Sequence, residues 1–295
     1  MKTLPVKDNQ SRLLIVPLSL FLVLFLGFPL IADIVYSVSH VSFENLRSPD
    51  LRGFGNFIDV VNDKQFWQAT RFSFQFGFFT ALVECLLGLF LAVYLSPLLK
   101  KHTWMLAILM MPMMAAPALV GLMYRLVLHE FVGPVPYYLW EWWGDSPAFL
   151  DANNAIYTLM TIEILQWTPF ALLLFHLAYQ SVPEDVREAA TLDGAKGFQR
   201  FWRIELPFMK LALFTALFIR FIDGFRVFDN VYVLTGSGAG GSTTSLSIYV
   251  YLAFFKQGNI GKAVAASMLL LLVTFTVLYL LNWFSTKKKS VGGEA

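Results

Sequence analysis

Apolar residues in this chain gather into six long runs, near 13–36, 71–96, 104–128, 155–179, 209–234 and 264–284, separated by shorter polar stretches. A helix crosses a hydrocarbon layer of about 30 Å with about 20 such residues. The pattern predicts an all-α fold, one polytopic membrane domain over 1–295 with six transmembrane helices. The first run follows Lys2, Lys7 and Arg12, as in a signal peptide. It is too long for a cleaved segment, and no small-x-small site follows it cleanly. It reads as an uncleaved first helix, with Pro17 and Pro29 as candidate kinks.

Between the fourth and fifth runs lies a polar island, 181–208. Ser181-Val182-Pro183-Glu184 has the marks of a helix start: a Ser N-cap, an acid three residues on, and a proline in the first turn. Glu184 and Asp185 then sit near the positive end of the helix dipole. Asp193-Gly194 predicts a stop, with glycine in the left-handed C-cap conformation. A second helical piece, 198–206, runs to Pro207 and into span five. The result is a short helix across one face of the membrane, held between spans four and five. Ala189 and Ala190 offer a small-residue surface that another protein can approach closely. The alternative is a solvated connector resting on headgroups, which explains Arg187, Arg200 and Arg203 but not the alanine pair or the Gly194 stop.

Composition agrees with a chain that needs lipid as solvent: 57% hydrophobic, 16% aromatic and 14% charged, against roughly a quarter charged in soluble domains. Mean hydropathy is +0.61. A net charge of +2 gives no argument for nucleic acid. The lone Cys85, in an apolar run, excludes an intrachain disulfide or cysteine-based metal cluster and reads as packing. Lysine and arginine placement sets the orientation. With the N-terminus inside, thirteen fall on the cytoplasmic side: Lys2, Lys7, Arg12, Lys100, Lys101, Arg187, Lys196, Arg200, Arg203, Lys210 and 287–289. Six fall outside: Arg47, Arg52, Lys64, Arg71, Lys256 and Lys262. Both termini and the polar island are therefore expected in the cytoplasm. The segment 133–143, rich in Tyr and Trp and free of Lys and Arg, is expected outside, as an aromatic belt or as a lid or docking surface.

Glu188-Ala189-Ala190, then Asp193-Gly194-Ala195, then Ile204-x-Leu206-Pro207 resembles the cytoplasmic coupling loop of ABC importer permeases. The resemblance extends to Gly53-Phe54-Gly55-Asn56-Phe57, Asp63-Lys64-Gln65-Phe66-Trp67, the stretch from Phe228 to Thr235, and 263–267 opening span six. These are similar to the first of two membrane subunits in maltose-type carbohydrate importers. The resemblance implies a second homologous permease, an ATPase dimer that binds Mg-ATP, and an extracytoplasmic binding protein. It also implies a bacterial inner-membrane location, with Glu188, Ala189, Ala190, Asp193 and Gly194 as the residues that couple to the ATPase. No cofactor is expected in this chain itself. Gly236 to Gly241 replaces the family's usual Gly-Gly-Pro, so a more flexible loop is expected there. That run imitates the start of a phosphate loop, but Ser242 stands where the lysine is needed and no strand precedes it.

Charges inside spans require a reason. Arg220, Asp223, Arg226 and Asp229 follow one another at steps of three in span five, a spacing that allows internal salt bridges. Arg220, Asp223, Gly224 and Val227 share a helical stripe, and the resemblance implies that this stretch, with Asp229 just beyond it, faces the transport pathway. The matching part of span four is Gln166-Trp167-Thr168-Pro169-Phe170. There Trp167 and Phe170 offer flat apolar faces to a sugar ring and Gln166 can bond hydroxyls; simple packing is the alternative. Arg220 suits either neutral hydroxyls, while paired to Asp223, or an anionic group held by its fork. Glu84, Arg125, Glu163 and His176 stand as lone polar groups in other spans, with packing roles. His176 has no second histidine at ligand spacing, so no metal site is expected. The expected function is permease subunit of an ATP-driven importer for a sugar or sugar derivative, neutral or anionic, glycerol phosphate included. An ion-gradient-driven secondary transporter is the rival, yet no internal repeat supports it. No catalytic constellation supports an intramembrane enzyme.

Overall fold

The computed structural model describes residues 8–238 and 241–291. Lys2 and Lys7 of the N-terminal basic set, Ala239 and Gly240 of the glycine-rich run, and 292–295 of the tail lie outside the described residues, as do the side chains of Arg12 and 287–289. The described chain is predominantly helical. In order come α1 (Asp8–Leu22), α2 (Phe28–Ser37), two short strands β1 (Ser39–His40) and β2 (Asp50–Leu51), and α3 (Gly55–Val61). There follow α4 (Lys64–Lys101), α5 (Trp104–Met114), α6 (Pro117–Val127), α7 (Pro134–Trp143) and α8 (Ala155–Gln180). After these come α9 (Glu184–Leu192), α10 (Gly197–Arg200), α11 (Leu206–Phe225), α12 (Asp229–Thr235), α13 (Leu246–Tyr251) and α14 (Ile260–Val291). β1 and β2 pair antiparallel, Ser39 opposite Leu51.

Three helical stretches among the described residues are long and apolar enough to span a membrane: Ile15–Ser37, Lys64–Lys101 and Ala155–Gln180. A fourth arises if α5 and α6, bent 79° from each other, count as one. α1 and α2 are joined by a π-helical turn, Val23–Gly27, which lies between the two prolines of the first run. The third apolar run, expected as one helix, is broken. Pro117 opens α6, and its ring disfavours helical geometry in the preceding residue; Ala115 and Ala116 are extended, with ψ of 136° and 132°. The fifth run is also interrupted: α11 ends at Phe225 and α12 begins at Asp229. Lys64-Gln65-Phe66-Trp67, ahead of the second apolar run, is helical and opens α4. The aromatic segment 133–143 contains a helix, α7, started by Pro134 and stopped by Gly144 at φ +73°. Tyr137, Trp140, Trp142 and Trp143 on it are exposed.

The chain divides into two compact units, 1–64 with 250–295, and 65–249. In the first, the buried Asn56 amide donates to the carbonyls of Ser37 (2.9 Å) and Ser39 (2.7 Å), which fastens α3 to the end of α2. Gly261 in α14 has no room for a side chain, since a Cβ there would lie 2.5 Å from the Ser39 carbonyl oxygen. Lys262 Nζ lies 2.6 Å from Asp63 Oδ2.

In the second unit, small residues let helices approach closely, as membrane helices do when lipid provides no hydrophobic drive for association. A Cβ on Gly77 of α4 would sit 2.7 Å from the Phe225 backbone nitrogen of α11, and one on Gly224 would sit 2.8 Å from the Gly77 Cα. Further along α4, a Cβ on Gly88 would meet the Ala171 Cβ of α8 at 2.6 Å. Between these crossings, Cys85 packs in a buried cluster with Ala171, Phe175, Met209 and Ala216.

Candidate functional site

Arg220 is among the largest fully buried side chains described, 1% exposed. A guanidinium cannot shed its charge, so its burial demands anionic partners. Glu84 of α4 accepts from Nε at 2.5 Å and from Nη2 at 3.2 Å. Glu163 of α8 accepts from the same Nη2 at 2.9 Å. Asp223, one turn along α11, lies 3.6 Å from Nη1. The Trp167 ring of α8 lies under the guanidinium, 4.6 Å from its carbon. Asn230 in α12 donates to the second oxygen of Glu163 at 2.6 Å. One arginine thus joins α4, α8 and α11, and Glu163 extends the network to α12. Glu84 and Glu163 are therefore not lone polar groups: each is an ion-pair partner of Arg220.

Beside this cluster lies a cavity of about 270 Å³. Trp167, Arg220, Asp223, Val227 and Asp229 line it, together with Glu163, Arg226 and Asn230. Five of the eight expected pathway residues therefore meet at one place, although not on one helical stripe. Val227 falls in the break after α11, and Asp229 opens α12. Asp223 Oδ1 also lies 3.3 Å from Arg226 Nη2, so the expected internal salt bridges form around Asp223.

The other three expected residues are not among the lining. Gly224 is turned to the Gly77 crossing. Phe170 is half-buried on α8. The buried Gln166 amide donates to the Ala115 carbonyl at 3.0 Å, where the α5–α6 break leaves that oxygen without a helical partner. Trp167 keeps a place in the cavity wall, but a guanidinium already occupies the space over its ring. Arg125, on α6, donates to the Val233 carbonyl at 3.1 Å, and the His176 ring contacts the Gln180 amide at 2.8 Å.

The segment after α8 has its own construction. Ser181 is not an N-cap, since its hydroxyl donates back to the Ala178 carbonyl at 2.7 Å. Pro183, extended at ψ 138°, precedes the first turn of α9, which carries Glu184 and Asp185. The stop matches expectation: Gly194 has φ +80°, its N–H reaches the Thr191 carbonyl and that of Ala195 reaches Ala190. This pair of bonds is the Schellman arrangement. Ala190 is buried while Glu188, Ala189, Asp193 and Gly194 are exposed, so only one of the two alanines offers outer surface. From Gly197 the chain is helical through to Phe225, with a π-helical turn at Phe201–Glu205 just before Pro207.

Glu205, 1% exposed, is the residue that fastens this connector. Its Oε1 accepts from the Tyr179 hydroxyl at 3.2 Å and lies 3.4 Å from Arg187 Nε and 3.3 Å from Arg200 Nε. Neither arginine nitrogen is aligned for a hydrogen bond, so these contacts are ion pairs only. Arg187 also donates to the Tyr179 carbonyl at 2.5 Å and stacks over the Tyr179 ring at 4.4 Å. The sequence signal was available in Ile204-Glu205-Leu206-Pro207: a carboxylate in an apolar frame beside three nearby arginines.

The family described as binding-protein-dependent transport system inner membrane component matches residues 13–290. The trehalose/maltose transport system permease protein MalF of Thermococcus litoralis is 32% identical over 276 residues, which cover 91% of each chain. The sulfoquinovosyl glycerol transport system permease protein SmoG of Agrobacterium fabrum is 29% identical, over 91% of this chain and 88% of its own. The sn-glycerol-3-phosphate permease UgpA of the same organism is 26% identical over 90% of both. A solved bacterial ABC transporter that imports the acidic polysaccharide alginate has a chain of the same fold, with TM-score 0.82 over 95% of this chain and 96% of that one, at 19% identity. The chain belongs to the binding-protein-dependent transport system inner membrane component family and is a permease of an ABC transport system.

Proposed function

We propose that this chain forms half of the translocation pathway of an ATP-driven importer for a sugar or sugar derivative. It spans the bacterial inner membrane six times, through α1–α2, α4, α5–α6, α8, α11–α12 and α14, with both termini in the cytoplasm. Its companions are a second homologous permease, an ATPase dimer that binds and hydrolyses Mg-ATP, and an extracytoplasmic binding protein. The relatives support this reading, two of them being transporters of a sugar or sugar derivative by name.

The observation that carries the mechanism is α9, exposed on one side and fastened through Arg187 to Tyr179 and Glu205 on the other. A helix held in this way cannot move without the end of α8 and the start of α11. Glu188, Ala189, Asp193 and Gly194 form the face offered to the ATPase, with Ala190 as the buried support. Closure of the ATPases on ATP would pull α9 inward, and α8 and α11 would carry that motion to Trp167 and Arg220. The chain does no covalent chemistry; it changes which side of the membrane the cavity faces.

The test is energy dependence in proteoliposomes that hold the two permeases and the ATPase, supplied with the binding protein and sugar. Uptake is expected to require internal ATP and to survive ionophores that collapse proton and sodium gradients. Uptake driven by an ion gradient without ATP would replace this reading with that of a secondary transporter.

A further inference from the structure

We infer that the cavity beside Trp167 admits neutral polyhydroxylated ligands and turns away anionic ones, with Glu163 and Asp229 setting that choice. The inference rests on the importer reading and narrows its substrate class. It begins with the valence of Arg220. Its Nε faces Glu84 at 2.5 Å, Nη2 faces Glu163 at 2.9 Å, and Nη1 faces Asp223 at 3.6 Å. Every guanidinium nitrogen already has a carboxylate, so a phosphate, sulfonate or carboxylate on a ligand would have to displace one. Displacing Glu84 or Glu163 would leave that acid buried without its counter-charge, the least favourable outcome for a buried pair. Asp223 is more exposed, but it also lies 3.3 Å from Arg226.

The cavity wall agrees. Glu163, Asp223 and Asp229 line it against the two guanidinium groups of Arg220 and Arg226, and Glu84 adds a further carboxylate behind Arg220. Arg226 is the cation an anion would have to use, and Asp223 is already its neighbour. An ionised acid group accepts hydrogen bonds and donates none. Glu163 already accepts from Arg220 and Asn230 and acts by holding that guanidinium, whereas the Asp229 carboxylate in the wall favours a ligand with donors. Sugar hydroxyls donate and accept, so a polyhydroxylated ligand can answer both the carboxylates and the guanidinium groups of the wall. The volume of about 270 Å³ lies just below the usual range of small-ligand sites, about 300–1,000 Å³.

The experiment is ATP-driven uptake by proteoliposomes holding this chain, its partner permease and the ATPase, with the binding protein saturated by each sugar. Trehalose and maltose are compared with glycerol 3-phosphate and a glucuronate-bearing disaccharide. Neutral sugars are expected to enter at least about tenfold faster, as like-charge juxtaposition excludes wrong partners. Glu163→Gln should narrow that ratio. Asp229→Asn should do the same without touching the ion pairs of Arg220, so a folding defect in the first variant leaves the second to decide. Anionic sugars entering as fast as neutral ones, or a binding protein that takes only anionic ones, would overturn the inference and leave ATP-driven import standing. Absence of ATP-driven uptake for every sugar would overturn the importer reading and this inference together.

Discussion

Arg220 and Glu205 show how a single charged side chain can organise helices that are far apart in sequence. Glu84 lies 136 residues from Arg220, and Glu163 lies 57 away. Arg220→Met would strand two buried carboxylates, and breaking such a cluster costs about 3–5 kcal/mol. The expected result is a marked fall in thermal stability of the purified complex. Arg220→Lys should fail to restore it, because an ammonium cannot fork across two acids; full stability of the lysine variant would refute the geometry. At Glu205 the contacts are longer, and Glu205→Gln should cost about 1–3 kcal/mol. That substitution should also weaken substrate stimulation of ATP hydrolysis, a readout that a stability defect alone would not selectively move. The need for partners was legible in the sequence, since a charge inside an apolar run requires one. Their identity was not, because it depends on which helices are neighbours, and hydropathy is silent on that.

Elements were legible where local chemistry fixes them and obscure where tertiary contacts do. The Gly194 stop could be read because a left-handed turn after an amphipathic segment calls for glycine. The start of α9 was misplaced at Ser181, whose hydroxyl bonds instead to the helix before it. The α5–α6 break had its signal in Pro117, which the continuous apolar run outweighed, and the α11–α12 break falls between Arg226 and Asp229, whose spacing reads equally well as one helical series. Gly194→Asp would place a side chain in a left-handed conformation, at about 1–2 kcal/mol, and add an anion at the negative end of α9. Space around Gly194 is open, so packing within this chain is not at issue. Basal ATP hydrolysis is expected to persist while substrate stimulation and uptake fall; unchanged uptake would argue against α9 as the coupling element. At the Gly77–Gly224 crossing, Gly77→Val has backbone on every near side and should destabilise the complex by about 1–3 kcal/mol. Thermal unfolding that matches the parent would show that α4 and α11 do not approach so closely.

For the molecule as a whole, the sequence carried the membrane class and the family through its long apolar runs and the Glu188–Pro207 stretch, and the family match over 13–290 agrees. What it could not carry is the meeting of the α8, α11 and α12 residues around one cavity, because that depends on two helix breaks and a buried ion cluster. In the proposed mechanism, motion of α9 and events at that cavity are one process. The most direct measurement is ATP hydrolysis by the complete complex in proteoliposomes, with and without sugar-loaded binding protein, for the parent chain and Gly194→Asp. The parent is expected to hydrolyse ATP faster when loaded binding protein is present, and the variant to lose that acceleration while keeping its basal rate. Equal acceleration in both, or ATP hydrolysis indifferent to sugar in the parent, would contradict the account.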